Sequence, residues 1–219
     1  MSYKTIDMSS YPRRGHLEHF KTMANPMLAL TVQVDITEWF ERNKAAGRPF
    51  FLSFQYAVVQ AANTVPQLRQ RIRNSGIIEY DFCNPSYTVA LSDGTYRYCS
   101  VDANRNIESY LALAEEAQKS AMDSDCLTEH DDPESYFFIS CLPWISYSSH
   151  EMPFPDSSFS VPSITWGKFY TENVPLTQDG RIVLKEVKRI PVTIMANHAI
   201  VDGKHISDFF DALSDELKK

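Results

Sequence analysis

The sequence has no C-x-x-C pair. Its four cysteines, Cys83, Cys99, Cys126 and Cys141, are widely spaced, which fits reduced thiols and a cytoplasmic protein better than a disulfide framework. The opening segment from Met1 to Asp7 lacks the apolar stretch of a secretory signal. No window approaches the roughly 18 apolar residues that a membrane span needs, so no membrane partner is expected. Long Lys/Arg runs are also missing and the net charge is −7, which argues against a phosphate-backbone partner such as nucleic acid. There is no internal repeat, linker or low-complexity tract. What remains is a chain of 219 residues with 43% hydrophobic and 22% charged residues, read as one domain over residues 1–219 with a substantial core.

Residues Leu28, Leu30, Val32, Val34 and Ile36 recur at period two and predict a half-buried strand. A short helix is expected from Thr37 to Gly47, capped by Asp35 or Thr37. A second runs from about Ser53 to Thr64; it has no charges and should be largely buried. Short strands are expected at 76–80, 87–91 and 95–100, then an amphipathic helix over 107–122 and a polar loop over 123–135. Two apolar β-rich runs follow at 136–142 and 161–170. A hairpin turns at Gln178-Asp-Gly180 into a strand over 181–187, and a separate strand covers 191–196. The closing helix, Lys204 to Leu217, places Ile206, Phe209, Phe210, Leu213 and Leu217 on one face. The mixture of strands and helices indicates an α+β fold.

The chemistry is concentrated between Pro191 and His205. A strand ends, His198 appears, Asp202-Gly203 follows four residues later, and a helix begins. A histidine held at a strand end can take a proton from an alcohol and return it to a thiolate. Asp202 can fix the turn by pairing with an arginine, and Gly203 permits a tight entry into the helix. A plainer reading stands beside this one: Asp202 only caps the helix and His198 is a polar residue at a strand end.

The segment Asn197-His-Ala-Ile-Val-Asp-Gly203 resembles the H-H-A-x-x-D-G signature of chloramphenicol acetyltransferases. Related H-x-x-x-D-G motifs occur in dihydrolipoamide acyltransferase cores and peptide-synthetase condensation domains. Three further blocks select among these relatives. Tyr11-Pro-Arg-Arg-Gly-His-Leu-Glu-His-Phe20 is similar to the family's R-R-x-H-F-x-x-[FY] opening, with Leu17 in place of Phe. Ile139-Ser-Cys-Leu-Pro-Trp144 is similar to its I-S-x-L-P-W block, and Pro162-Ser-Ile-Thr-Trp-Gly-Lys168 to its P-x-x-T-x-x-K strand. Together the blocks span most of the chain in the family's order.

The resemblance implies a two-layer α/β sandwich with a mixed sheet, assembled as a homotrimer with active sites between subunits. It implies acetyl-CoA as co-substrate, a small-molecule alcohol such as chloramphenicol as acceptor, and no metal. By position, His198 matches the general base and Asp202 the structural carboxylate. Arg13 matches that carboxylate's partner, with Arg14 as a fallback. Ser140 matches the donor to the tetrahedral oxyanion, and Thr165 a residue that orders a nearby water. Lys168 and Phe169 match positions near the coenzyme's adenosine end. Trp144 matches the coenzyme tunnel or, alternatively, a core tryptophan. The acceptor lining maps to Phe20, Tyr96, Tyr98, His150, Met152 and Phe154. The sequence departs from the pattern at Phe138, two positions before Ser140, where members often carry Asn, at Tyr98, where the family favours a small residue, and at His150, where it favours Phe; Asn197 before the base is a neutral variation. Cys141, beside Ser140, has no locally dedicated His–Asp pair and reads as a small core residue rather than a nucleophile. A metal site from His198, Asp202 and His205 is disfavoured, because His205 is expected to face elsewhere from the helix. Alternatives are an acyltransferase of this fold with a different alcohol acceptor, and a non-catalytic binding homologue. A dihydrolipoamide acyltransferase core is less expected, because no lipoyl domain precedes the chain.

Overall fold

The structure, a computed structural model, describes residues 1–124, 127, 132–178 and 180–219. In chain order its elements are β1 (Tyr3–Thr5), α1 (Arg14–Phe20), β2 (Met27–Asp35), α2 (Thr37–Ala45), α3 (Phe50–Asn63), β3 (Gln70–Arg73), β4 (Gly76–Tyr80) and β5 (Asn84–Ala90). The second half holds β6 (Tyr96–Ser100), α4 (Ile107–Met122), β7 (Tyr136–Leu142), β8 (Ser163–Gly167), β9 (Tyr170–Gln178), β10 (Arg181–Asn197) and α5 (Gly203–Glu216). The main sheet runs β2-β10-β8-β7-β5-β6, with β9 added against the first half of β10. The β5–β7 and β7–β8 pairs are parallel and the remaining pairs antiparallel. This is the expected mixed α/β architecture. A small sheet, β1-β4-β3, stands beside it.

Alternation of side chains divides the main sheet into two faces. Ile164, Trp166, Val192 and Ile194 are fully buried, and Trp166 packs against Phe51 and Phe54 of α3. Helix α3 carries no charge and buries most of its length, as expected, but begins at Phe50, directly after Pro49. Pro49 ends the preceding loop in an extended conformation and lets the helix start three residues earlier than its apolar pattern suggests. Asp35 Oδ1 accepts the Thr37 N–H at 2.9 Å, anchoring the start of α2. Gly47 follows with φ +67°, a left-handed conformation that glycine adopts without steric cost.

Three expectations change. The strand of period two is present as β2, but Leu30 and Val32 are more than a third exposed. They lie on the outer strand of the sheet, one side of which has no neighbour among the described residues. The run 161–170 splits into β8 and the start of β9. The strands 181–187 and 191–196 are instead one strand, β10. Pro191 does not interrupt it because neighbour β9 ends opposite Arg189 and β8 begins opposite Val192. A missing N–H is tolerated at such a changeover. The hairpin before β10 forms as expected, with Gly180 at φ +73°. Asp179 lies outside the described residues, as do Cys126 and part of the 123–135 loop. Among the described residues, no helix is long and apolar enough to cross a membrane.

Candidate active site

His198 directly follows β10. Its N–H donates to the Pro26 carbonyl at 2.8 Å, while the Ile200 and Val201 N–H groups donate to the Asn197 carbonyl at 3.0 and 2.9 Å. The chain therefore folds tightly back on itself at the ring. Nδ1 of His198 lies 2.9 Å from the Val201 carbonyl. A carbonyl only accepts, so Nδ1 carries a proton, and in the neutral ring Nε2 is the nitrogen with the lone pair. Phe20, the last residue of α1, stacks on the imidazole with centroids 4.2 Å apart. The imidazole is thus fixed both in tautomer and in plane.

Among the described residues, no carboxylate is bonded to the His198 ring. Asp202 acts through Arg13 instead: Arg13 Nη1 donates to Asp202 Oδ2 at 2.5 Å, and Nη2 to the His198 carbonyl at 3.2 Å. One guanidinium thus ties the motif's carboxylate to the backbone of its histidine. Arg14 points elsewhere and pairs with Glu18 at 3.1 Å. Asp202 also caps α5, accepting the Lys204 and His205 N–H groups at 3.0 and 3.4 Å. Capping and pairing, posed by the sequence as competing readings, coexist on its two oxygens. Burial would raise the Asp202 carboxyl, but the neighbouring His205 and Arg13 outweigh it and hold the group below its ordinary value.

The expectation that His205 faces away is corrected. Its Nδ1 accepts the Asp202 N–H at 3.0 Å and closes a capping box. Its position in the first turn of α5 carries the side chain back over the cap. Among the described residues, no group of three or more His, Cys, Asp and Glu side chains could hold a metal ion.

Ser140 on β7 lies opposite Thr165 on β8, and Thr165 opposite Thr193 on β10. Thr193 in turn lies opposite Thr31 of β2, their hydroxyls 2.7 Å apart. Four hydroxyl residues therefore form one rank on the face that turns away from Trp166 and α3. Cys141 points to the opposite face with Trp166, where burial pushes its thiol up to about 11. A thiol so protonated is a poor nucleophile. The rank also sets a distance. Ser140 is two strands from Thr193, and His198 is five residues further along, so the two sites lie about 19 Å apart within one chain at ordinary strand spacings.

The remaining expected site residues scatter. Phe169 packs against Phe40 and Phe50 at 5.1 and 5.6 Å, and neighbouring Lys168 is exposed. Trp144 is 79% exposed, which excludes a core role. His150, Met152 and Phe154 alternate as half-buried positions in the loop after β7. The His150 ring lies 5.5 Å from Tyr147, and burial lowers its pKa, leaving it neutral near pH 7. Tyr96 and Tyr98 meet edge-on at 5.7 Å on β6, the far outer strand, separated from β10 by β8, β7 and β5. Only Phe20, of the six acceptor candidates, is seen against His198 in the same chain.

The chloramphenicol acetyltransferase family model matches residues 1–214. The chain belongs to this family. A chloramphenicol acetyltransferase from Staphylococcus aureus is 28% identical, covering 100% of this chain and 98% of its own. One from Proteus mirabilis is 27% identical over 92% and 88% of the two chains. A solved chloramphenicol acetyltransferase superposes with TM-score 0.82 at 23% identity, over 99% of this chain and 100% of that one. The dihydrolipoamide acetyltransferase of Azotobacter vinelandii, studied for the catalytic roles of a serine, a histidine and an asparagine, shares the fold with TM-score 0.64 at 19% identity. It covers 93% of this chain and 85% of that one.

Two positions in this family member carry more than their residue types suggest. Gly167 leaves no space for a side chain: a Cβ there would lie 2.7 Å from the Ile145 carbonyl and 2.9 Å from the Tyr147 ring. That close approach lets the Tyr147 hydroxyl donate to the Thr165 carbonyl at 2.8 Å and seats the loop that carries Trp144 and His150. Asn197 varies from the family signature, and its side chain makes three hydrogen bonds. Nothing local marks either role, because the groups crowding Gly167 and the carbonyls that Asn197 grips come from distant segments.

Proposed function

We propose that the chain transfers an acetyl group from acetyl-CoA to a hydroxyl of chloramphenicol, with His198 as general base. The observation that carries this reading is the fixed imidazole, whose Nδ1 is committed to the Val201 carbonyl and whose Nε2 is left as the base. Nε2 takes the proton of the acceptor hydroxyl as its oxygen attacks the thioester carbonyl. The carbon–sulfur bond then breaks, and the imidazolium returns the proton to the CoA thiolate. Ser140 donates to the oxyanion between these steps, a contact whose loss costs about 10²–10³ in turnover. Thr165, beside it in register, orders a water there. The relatives named chloramphenicol acetyltransferase, matched over nearly the full chain, support this acceptor.

Lys168, exposed and cationic, suits a phosphate of the coenzyme, and the Phe169 cluster offers its adenine a flat apolar wall. The exposed indole of Trp144 lines the tunnel between them. Phe20, Tyr96, Tyr98, His150, Met152 and Phe154 form the acceptor pocket. Within one chain Ser140 and His198 stand too far apart to serve one carbonyl, which supports a homotrimer whose sites combine His198 of one subunit with Ser140 of the next. Exposed Leu30, Val32, Ile182 and Leu184 are apolar surface that such an assembly can cover. The compartment is the cytoplasm.

The deciding experiment follows CoA thiol release from acetyl-CoA with and without chloramphenicol, with His198→Ala as blank. Fast release that depends on both His198 and chloramphenicol supports the proposal. Release at the blank rate removes chloramphenicol as substrate. A second acceptor reading then applies, favoured by neutral, half-buried His150: an alcohol bearing a polar group that can pair with the imidazole.

A further inference from the structure

Asn197 is 1% exposed and sits at the end of β10, immediately before the base. Its amide nitrogen donates to two carbonyls, Ser157 at 3.1 Å and Phe159 at 2.9 Å. Its amide oxygen accepts the Ala199 N–H at 3.0 Å. Two donors facing carbonyls and one acceptor facing an N–H leave a single consistent orientation of the amide. Few side chains can replace it. Aspartate has the shape but no donor, serine is too short to span three partners, and histidine offers one donor and one acceptor.

The segment that Asn197 grips is itself anchored. Ser160 Oγ accepts the Ile72 N–H at 2.9 Å, tying the loop to the small sheet. Phe159 packs its ring 5.8 Å from Phe138, which lies two residues before Ser140 on the same face of β7. On the other side, the Ala199 bond shapes the turn that presents the Val201 carbonyl to Nδ1 of His198.

We propose that Asn197 is a positioning residue for the reaction: it clamps the turn bearing His198 to the 157–159 loop and thereby holds the base in its reactive tautomer and place. The inference rests on His198 being the general base. Arg13 holds the His198 carbonyl and Phe20 stacks on the ring; Asn197 adds the tie from this turn to the 157–159 loop. Asn197→Asp is the sharpest probe, because it keeps the shape and the Ala199 bond while turning a carboxylate against two carbonyl oxygens.

Asn197→Asp is expected to lower kcat about tenfold to a hundredfold, as small misplacements of a reacting group do, with the KM for acetyl-CoA unchanged. The deficit should shrink as pH falls, since a protonated carboxyl regains one donor. Asn197→Ser, too short to reach both the Ser157 and Phe159 carbonyls, should be impaired without any pH rescue. Imidazole ¹⁵N NMR should show the Nδ1–H tautomer of His198 in the parent and a mixture of tautomers in both variants. Parent-like kcat per folded molecule, with only a lower melting temperature, would overturn the proposal, and so would an unchanged tautomer. If the parent fails to turn over chloramphenicol, the acceptor reading fails, whereas the NMR comparison still decides the clamp.

Discussion

At residue scale the motif histidine is governed by an arginine rather than by a carboxylate on its ring. Arg13 divides its two terminal nitrogens between Asp202 and the His198 carbonyl. A lysine offers one point charge and cannot span both. The two duties of Asp202 can be separated by substitution. Asparagine caps helices as well as aspartate does, so Asp202→Asn should keep the melting temperature near the parent while losing the ion pair and much of kcat. Asp202→Ala should lose the cap as well, about 1 kcal/mol of stability. Thermal melts and turnover measured on both variants check this; equal melting temperatures would show that the cap contributes nothing. The sequence supplied both readings of Asp202 and left them as rivals, because a one-dimensional pattern cannot show that two carboxylate oxygens have different partners.

At the scale of elements, helix α5 begins on a pH-sensitive cap. Burial holds the His205 imidazole below its ordinary value, although Asp202 pulls the other way. Its Nδ1 must stay unprotonated to accept the Asp202 N–H. A group whose pKa is depressed on folding stabilises fully above its unfolded value and loses that contribution as pH falls through the folded value. The melting temperature should therefore decline below about pH 6.5, the ordinary histidine value. The decline should flatten in His205→Gln, which cannot take up the proton. Asp202, held below the carboxylate range, stays ionised throughout this window. Elements with strong periodicity were legible in the sequence: α4 over 107–122 and β7 over 136–142 occur with the expected bounds. Those missed were short. The three residues of β1, the four of β3 and the seven of α1 are too few to establish a period. The single strand β10 was also hidden, since its continuity past Pro191 depends on where its neighbours stop.

For the whole molecule, the separation of Ser140 from His198 within one chain makes a test of shared sites possible. Ser140→Ala and His198→Ala chains, each inactive alone, should regain activity when unfolded and refolded together. If sites form between neighbouring subunits assembled at random, about a quarter of them carry both groups intact at equal mixing. Activity near that fraction supports the shared site, and none at all places both groups' work within one chain. Size measured by sedimentation on the same mixtures gives the number of subunits independently.

Some features of this protein followed from the sequence alone. Period-two and helical runs, the order of the four blocks, and the residue types of His198, Asp202, Ser140 and Arg13 are local facts, and local stereochemistry with side-chain chemistry suffices to read them. Tertiary structure decided the rest. Arg13 and Asp202 meet across 189 positions of chain; Ser140, Thr165, Thr193 and Thr31 form a rank only through strand register. Asn197 finds its partners some 40 residues upstream. Register and long-range pairing depend on what each strand meets across the sheet, and a strand's own residues do not encode the identity of its neighbour.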